Sequence, residues 1–218
     1  VAEALGAPAL AMAATFVAFG AAVAEAGLSL AWALAATGLV YGMAGQLVLL
    51  QVAAGGGAAL PATIAATAAN ARFLPMSVAI APLLGPRRPA WRRLLALPFI
   101  AITPWAAGMR VLPGLPEEAR LPWFLGFSVA SWTVAMATTA AGHLAAPALP
   151  LEWRAALLFT NPLYFAMLLA ADVARPGVGP AILGGVLAAP LAWWVGGAWG
   201  LPLAGLVGGT AAFLATRR

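Results

Sequence analysis

Arg72 is the residue with the most chemistry at stake. The run from Ala58 to Leu84 is apolar apart from a few hydroxyls and one amide, and Arg72 is its one charge, about midway along. A run of that length can cross a bilayer, which takes roughly 20 apolar residues. A cation at mid-depth costs at least about 2.5–3.5 kcal/mol and is normally turned toward water, a partner or a substrate. Its guanidinium can grip a carboxylate through two parallel hydrogen bonds. The competing reading is a structural cation, paired with backbone carbonyls or with a second chain. Asn70 precedes it by two residues and Pro75 follows by three. Proline removes a backbone donor, so a kink or loosening of the helix is expected there, with carbonyls freed upstream.

Other polar groups lie at similar depth. Gln46 sits mid-run in the preceding apolar stretch, where an amide costs energy unless bonded. It is either a cavity donor or a helix-to-helix bond. Thr37 and Tyr41 share that stretch, and Asn161 stands before Pro162 in a later one. Asn70 and Asn161 could offer paired amides, although an Asn-Pro step often only satisfies a kink. Arg72, Asn70, Gln46, Asn161, Thr37 and Tyr41 form the candidate substrate-binding set. Glu25 and Asp172 fall at run ends and read as solvated, and His143 as an interfacial residue. Gly38, Gly42 and Gly45 space small residues along one helix, as a close-packing face does.

The elements that hold these residues must be membrane helices. Of 218 residues, 64% are hydrophobic and 8% charged, with mean hydropathy +0.97. A soluble domain carries about 25% charge. The runs are helical in length and lack the ten-residue alternation of outer-membrane barrels. The fold class is therefore an all-α integral membrane bundle. Cysteine is absent, which excludes disulfides and thiol chemistry. Neither a metal cluster, a nucleotide-binding loop nor a catalytic pair is legible, so no cofactor and no enzymatic activity is expected. All eleven basic residues are arginine, and the net charge of +5 is spread over loops, which does not suggest nucleic-acid binding. No cleavable signal peptide is read at the N-terminus.

In chain order, apolar runs cover about 7–24, 28–54, 58–84, 94–111, 121–146 and 153–171, and a last stretch from 178 to 216 looks like two short spans. That predicts about seven or eight crossings of a single permease-like domain. The densest basic loop, Gly85 to Arg93, faces the cytoplasm by the positive-inside rule. Shifting the chain by 91 residues lays Trp32 on Trp123, Thr37 on Ser128, Asn70 on Asn161, Phe73 on Tyr164 and Met76 on Met167. Residues 7–84 and 94–171 thus read as inverted halves of a three-plus-three repeat, followed by an additional hairpin. Such repeats with broken helices meeting at mid-membrane are a recurrent transporter design.

Three segments resemble the AzlC family, the large-subunit permeases of bacterial branched-chain amino acid exporters. Gly20 through Ser29 is similar to the family's first hairpin. Thr37-Gly38-Leu39-Val40-Tyr41-Gly42-Met43-Ala44-Gly45-Gln46 resembles its small-residue helix ending in glutamine. Asn70-Ala71-Arg72, followed by Phe73-Leu74-Pro75, resembles its Asn-x-Arg segment. The chain departs from the family pattern at Phe73, where histidine is common, and at Pro104-Trp105, where an acidic pair often follows the threonine. The resemblance implies a multi-pass protein of the bacterial inner membrane. It also implies a separately encoded, small, roughly four-span partner of the AzlD type.

The expected function is a secondary-transporter subunit that exports small apolar, branched-chain-type amino acids on the proton gradient. The alternatives are a membrane scaffold that transports nothing and a passive channel for small neutral solutes. Because the chain has no cysteine of its own, Ala90→Cys tests the topology cleanly. A membrane-impermeant maleimide should label it in inside-out vesicles and leave it untouched in intact cells.

Overall fold

The computed structural model describes residues 7–85, 91, 96–148, 150, 176–195 and 200–216, with individual positions between 152 and 174. Asn161 and most of the basic loop lie outside the described residues. The described chain is helical, with no strand among those residues. In order the helices are α1 (Ala7–Glu25), α2 (Leu30–Val40), α3 (Met43–Ala54), α4 (Ala59–Ala69), α5 (Phe73–Ile80), α6 (Ile102–Val111), α7 (Glu117–Ala145), α8 (Val178–Val195) and α9 (Gly200–Thr216).

Two of these are long and apolar enough to span a membrane, α7 with its following turn and α8. A third span forms if α4 and the segment Phe73–Leu84 are taken together across a 48° bend. α2, α3 and α6 are shorter, because runs that read as continuous are broken in space. The run 28–54 is the clearest case: α2 stops at Val40 and α3 starts at Met43. Tyr41 closes α2 in the left-handed region (φ 39°, ψ 37°), its N–H donating to the Thr37 carbonyl. Gly42 then runs extended before α3 begins. No proline marks this break, and the expectation of one uninterrupted helix is corrected accordingly.

Where a proline accompanies a break, the break lies upstream of it. Pro75 is the third residue of α5, and the bend occurs at Asn70–Arg72. The pyrrolidine ring would clash with the carbonyl four residues earlier, Ala71. That carbonyl accepts instead from Leu74 N–H at 3.1 Å, a tighter turn, while the Asn70 carbonyl accepts from Phe73 N–H at 2.9 Å. Pro104 is likewise the third residue of α6, after an extended Ala101. The first backbone N–H groups of a helix have no internal acceptor, so proline costs no hydrogen bond at either place.

The centre of the packing is α7, against which α1 lies lengthwise. The two approach so closely that a side chain on Gly142 would run into the Val17 carbonyl, and one on Gly20 into the Thr139 carbonyl. Phe19, Val23, Ala33, Ala36 and Leu50 bury one core between α1, α2 and α3. Ile80, Leu84, Ile100, Leu112, Leu121 and Phe124 bury another around the start of α7. Between them lies a smaller cluster of Met12, Phe16, Tyr41 and Ala135. α8 and α9 form a hairpin whose backbones meet at Gly184 and Gly208.

Gly142→Leu should therefore separate α1 from α7 and lower the yield of monodisperse protein several-fold, overpacking costing about 1–3 kcal/mol. Gly126→Leu on the same helix meets nothing within 4 Å and should leave the elution profile and melting temperature unchanged.

Candidate functional site

Three helix breaks converge on one cavity. Its walls are Met12, Thr15 and Phe16 of α1, Tyr41, Gly42 and Met43 at the α2–α3 break, Arg72 and Phe73 at the α4–α5 break, and Ala101, Ile102 and Thr103 entering α6. The cavity volume is about 50 Å³. One water needs roughly 10–15 Å³ by that measure, so the space holds a few waters or a compact polar head group. It is open on one side, and Arg72 is exposed there.

The electrostatics follow from which helix ends arrive. Met43, Phe73 and Ile102 are the first residues of α3, α5 and α6, and all three line the cavity. Helix N-termini carry unpaired N–H groups and about half a positive charge each, which makes them ready-made anion sites; those of α3 and α6 qualify, whereas at α5 the Phe73 and Leu74 N–H groups already donate to the Asn70 and Ala71 carbonyls and Pro75 has none. The carbonyl end of α2 reaches the wall through its cap, Tyr41. Arg72 adds a full positive charge, its guanidinium carbon 5.4 Å from the Phe73 ring centroid. Among the described residues it has no hydrogen bond or ion pair. The Tyr41 side chain is buried, and its hydroxyl has no hydrogen-bond partner among the described residues.

The remaining candidate residues lie away from this wall. Gln46 is fully buried and donates through Nε2 to Thr37 Oγ1 at 2.9 Å, and Thr37 Oγ1 lies 3.0 Å from Thr139 Oγ1. This chain of side chains joins α2, α3 and α7. Asn70 Oδ1 accepts from the Gly45 N–H at 3.3 Å, tying the two breaks together. Asn70 also borders a second groove of about 440 Å³ on the α3–α4–α5 face. Thus Arg72 and Tyr41 share the cavity, while Gln46, Thr37 and Asn70 hold the helices around it. The glycines read as a packing face do approach closely. Gly38 faces Trp132 and Met136, and a side chain on Gly42 would come within 2.6 Å of Asn70 Oδ1.

Sequence reasoning did not single out Met12, Thr15, Phe16 or the Ala101–Thr103 entry as a site. The one available signal was Pro104, whose position just inside a helix start marks Thr103 as a first-turn residue. Ser128 and Ser131 are also buried, on α7, with no hydrogen-bond partner for either hydroxyl among the described residues.

The family model described as AzlC protein matches residues 8–149, well over half of the chain. The chain belongs to the AzlC family. The matched stretch of AzlC contains α1 through α7 and hence every residue that lines the cavity, whereas α8 and α9 lie beyond it. AzlC is a transporter-type family associated with branched-chain amino acid transport. Together with the apolar helices, this membership makes the chain a membrane protein. No curated protein and no solved structure matches it.

The Gln46–Thr37–Thr139 chain yields a stability test. Thr37→Val strands the Gln46 amide and the Thr139 hydroxyl, each worth about 1–3 kcal/mol when buried unpaired, and should lower the melting temperature in detergent by several degrees. Thr37→Val combined with Thr139→Val should cost clearly less than the two single changes summed, whereas strict additivity would show that the pair is not coupled.

Proposed function

We propose that this AzlC chain is the large permease subunit of a secondary transporter that exports small apolar, branched-chain-type amino acids. The membrane is the bacterial inner membrane, and the proton gradient supplies the driving force. The observation that carries the reading is the arrival of Arg72 and the N-termini of α3 and α6 at one cavity beside broken helices. Discontinuous helices of this kind let transporters present dipole ends to an anionic substrate group at mid-membrane.

In this scheme the substrate carboxylate meets the Arg72 guanidinium and the N–H groups opening α3 and α6. The Tyr41 hydroxyl supplies a further donor. The ammonium turns toward the carbonyl end of α2, and the aliphatic side chain rests on Met12, Phe16 and Met43. Rocking of one group of helices against the other exposes the substrate to the far side. The reading includes a small, roughly four-span AzlD-type subunit, which would close the open flank where Arg72 is exposed.

The test uses the chain co-expressed with its small partner and reconstituted in vesicles loaded with valine or leucine. Wild type should release either solute well above empty vesicles, with saturation. Arg72→Ala should cut the rate at least tenfold. Arg72→Lys should fall between the two, keeping the charge and losing the two-pronged geometry. Efflux equal to that of empty vesicles would overturn transport in favour of a scaffold. Efflux unchanged by Arg72→Ala would remove Arg72 from the substrate site.

A further inference from the structure

We infer that the groove on the α3–α4–α5 face is a second station for the same amino acids, receiving their aliphatic tails, and that the Phe73 ring is the gate between it and the cavity. The inference rests on the transporter reading and extends its site. It begins with a shared wall. Phe73 is the one residue that lines both spaces. The chain also passes from one space to the other at both breaks. Val40 borders the groove and Tyr41 the cavity, and Ala71 borders the groove and Arg72 the cavity.

Volume requires a second station. A ligand the size of benzene fills an apolar cavity of about 150 Å³. The cavity beside Arg72, at about 50 Å³, takes a head group and cannot also enclose a branched tail. The groove, at about 440 Å³, has that room. Its polar side chains are turned away from any ligand. The Thr63, Thr67 and Ser77 hydroxyls donate to carbonyls one turn back on their own helices, and Asn70 Oδ1 accepts from the Gly45 N–H. What remains to meet a ligand there is Leu39, Val40, Leu49 and Leu74, a lining suited to a branched hydrocarbon.

The gate moves as a side chain on a fixed backbone. The Phe73 N–H donates to the Asn70 carbonyl at 2.9 Å, and the Phe73 carbonyl accepts from Ser77 Oγ at 2.7 Å. The ring itself packs on the bare backbone of Gly42, where an added Cβ would come within 2.7 Å of it. The Arg72 guanidinium covers the ring at 5.4 Å. A carboxylate gripping that guanidinium through two charge-assisted hydrogen bonds outcompetes the face of an aromatic ring. Arrival of the head group therefore draws Arg72 off the ring and loosens the gate.

Because the chain has no cysteine, single cysteines report water access without background. The experiment uses the complete chain with its small partner in vesicles and a charged, membrane-impermeant methanethiosulfonate. Thr67→Cys lies in the groove, and Ile64→Cys is exposed on the same helix outside the groove lining. Thr67→Cys should react at least tenfold faster than Ile64→Cys, and saturating leucine should slow it several-fold. An unreactive Thr67→Cys would show a groove facing lipid or covered by the small subunit, and would overturn the inference. So would a reaction that leucine does not slow. Phe73→Ala should keep downhill leucine efflux and lose accumulation against a gradient, whereas Phe73→Trp should slow efflux at least tenfold. Wild-type behaviour in both variants would overturn the gate. No leucine flux from the wild-type chain above empty vesicles would overturn the transporter reading along with this one. The labelling comparison keeps the native Phe73, so it decides the matter even if the Phe73 variants do not fold.

Discussion

The hydrogen bond from the Gly45 N–H to Asn70 Oδ1 is the contact on which the arrangement turns. A helix that starts in the middle of a membrane exposes N–H groups that no water satisfies. Gly45 is the third residue of α3, and its N–H is one of those orphans. Asn70 caps it from a different helix, while standing itself at the end of α4. One side chain thereby fastens two interruptions to each other. The fastening demands close approach, which only glycine allows at positions 42 and 45, because side chains there would collide with the Asn70 amide. Once the breaks are joined, Tyr41, Arg72 and Phe73 necessarily share a wall.

Polar groups in this membrane interior divide by task. Gln46 Nε2 and the Thr37–Thr139 pair bond one another, which keeps α2, α3 and α7 in register, and Asn70 Oδ1 accepts from the Gly45 N–H. Of the groups left over among the described residues, the Arg72 guanidinium and the Tyr41 hydroxyl border the cavity, while Gln46 Oε1, Trp105 Nε1 and the Ser128 and Ser131 hydroxyls are buried away from its lining. That division follows from cost. A buried polar atom without a partner is expensive, so an atom left unmatched in a well-packed bundle marks a place where something else can bind.

Much of this was legible before any coordinates. The lone charge at mid-run, the asparagine beside it and the proline after it located the α4–α5 interruption, because proline's effect on the backbone is local. The helical class followed from hydropathy alone. The α2–α3 interruption was not legible, since Leu30 to Ala54 has no proline and its three glycines, at 38, 42 and 45, are spaced as a helix-packing face. It exists because Asn70 and Phe73, some 25 residues away in sequence, press against Gly42 and Gly45. The glycine spacing did reveal that something packs closely there, but a packing face and a broken helix leave the same trace. The same limit hid α1's contribution to the wall. Met12 and Phe16 lie on a helix with hydrophobic residues all round, where periodicity gives no direction.

Pro75 and Pro104 occupy equivalent places, third in the short helices that border the cavity. A hinge in a protein ordinarily resists bending because some rung of the backbone ladder must be given up. Here the rung was never built. Each opening turn is instead held by short-range backbone bonds, Phe73 N–H to the Asn70 carbonyl and Leu74 N–H to the Ala71 carbonyl at α5 and Trp105 N–H to the Ala101 carbonyl at α6, so the direction in which each short helix leaves its break is set within a single turn.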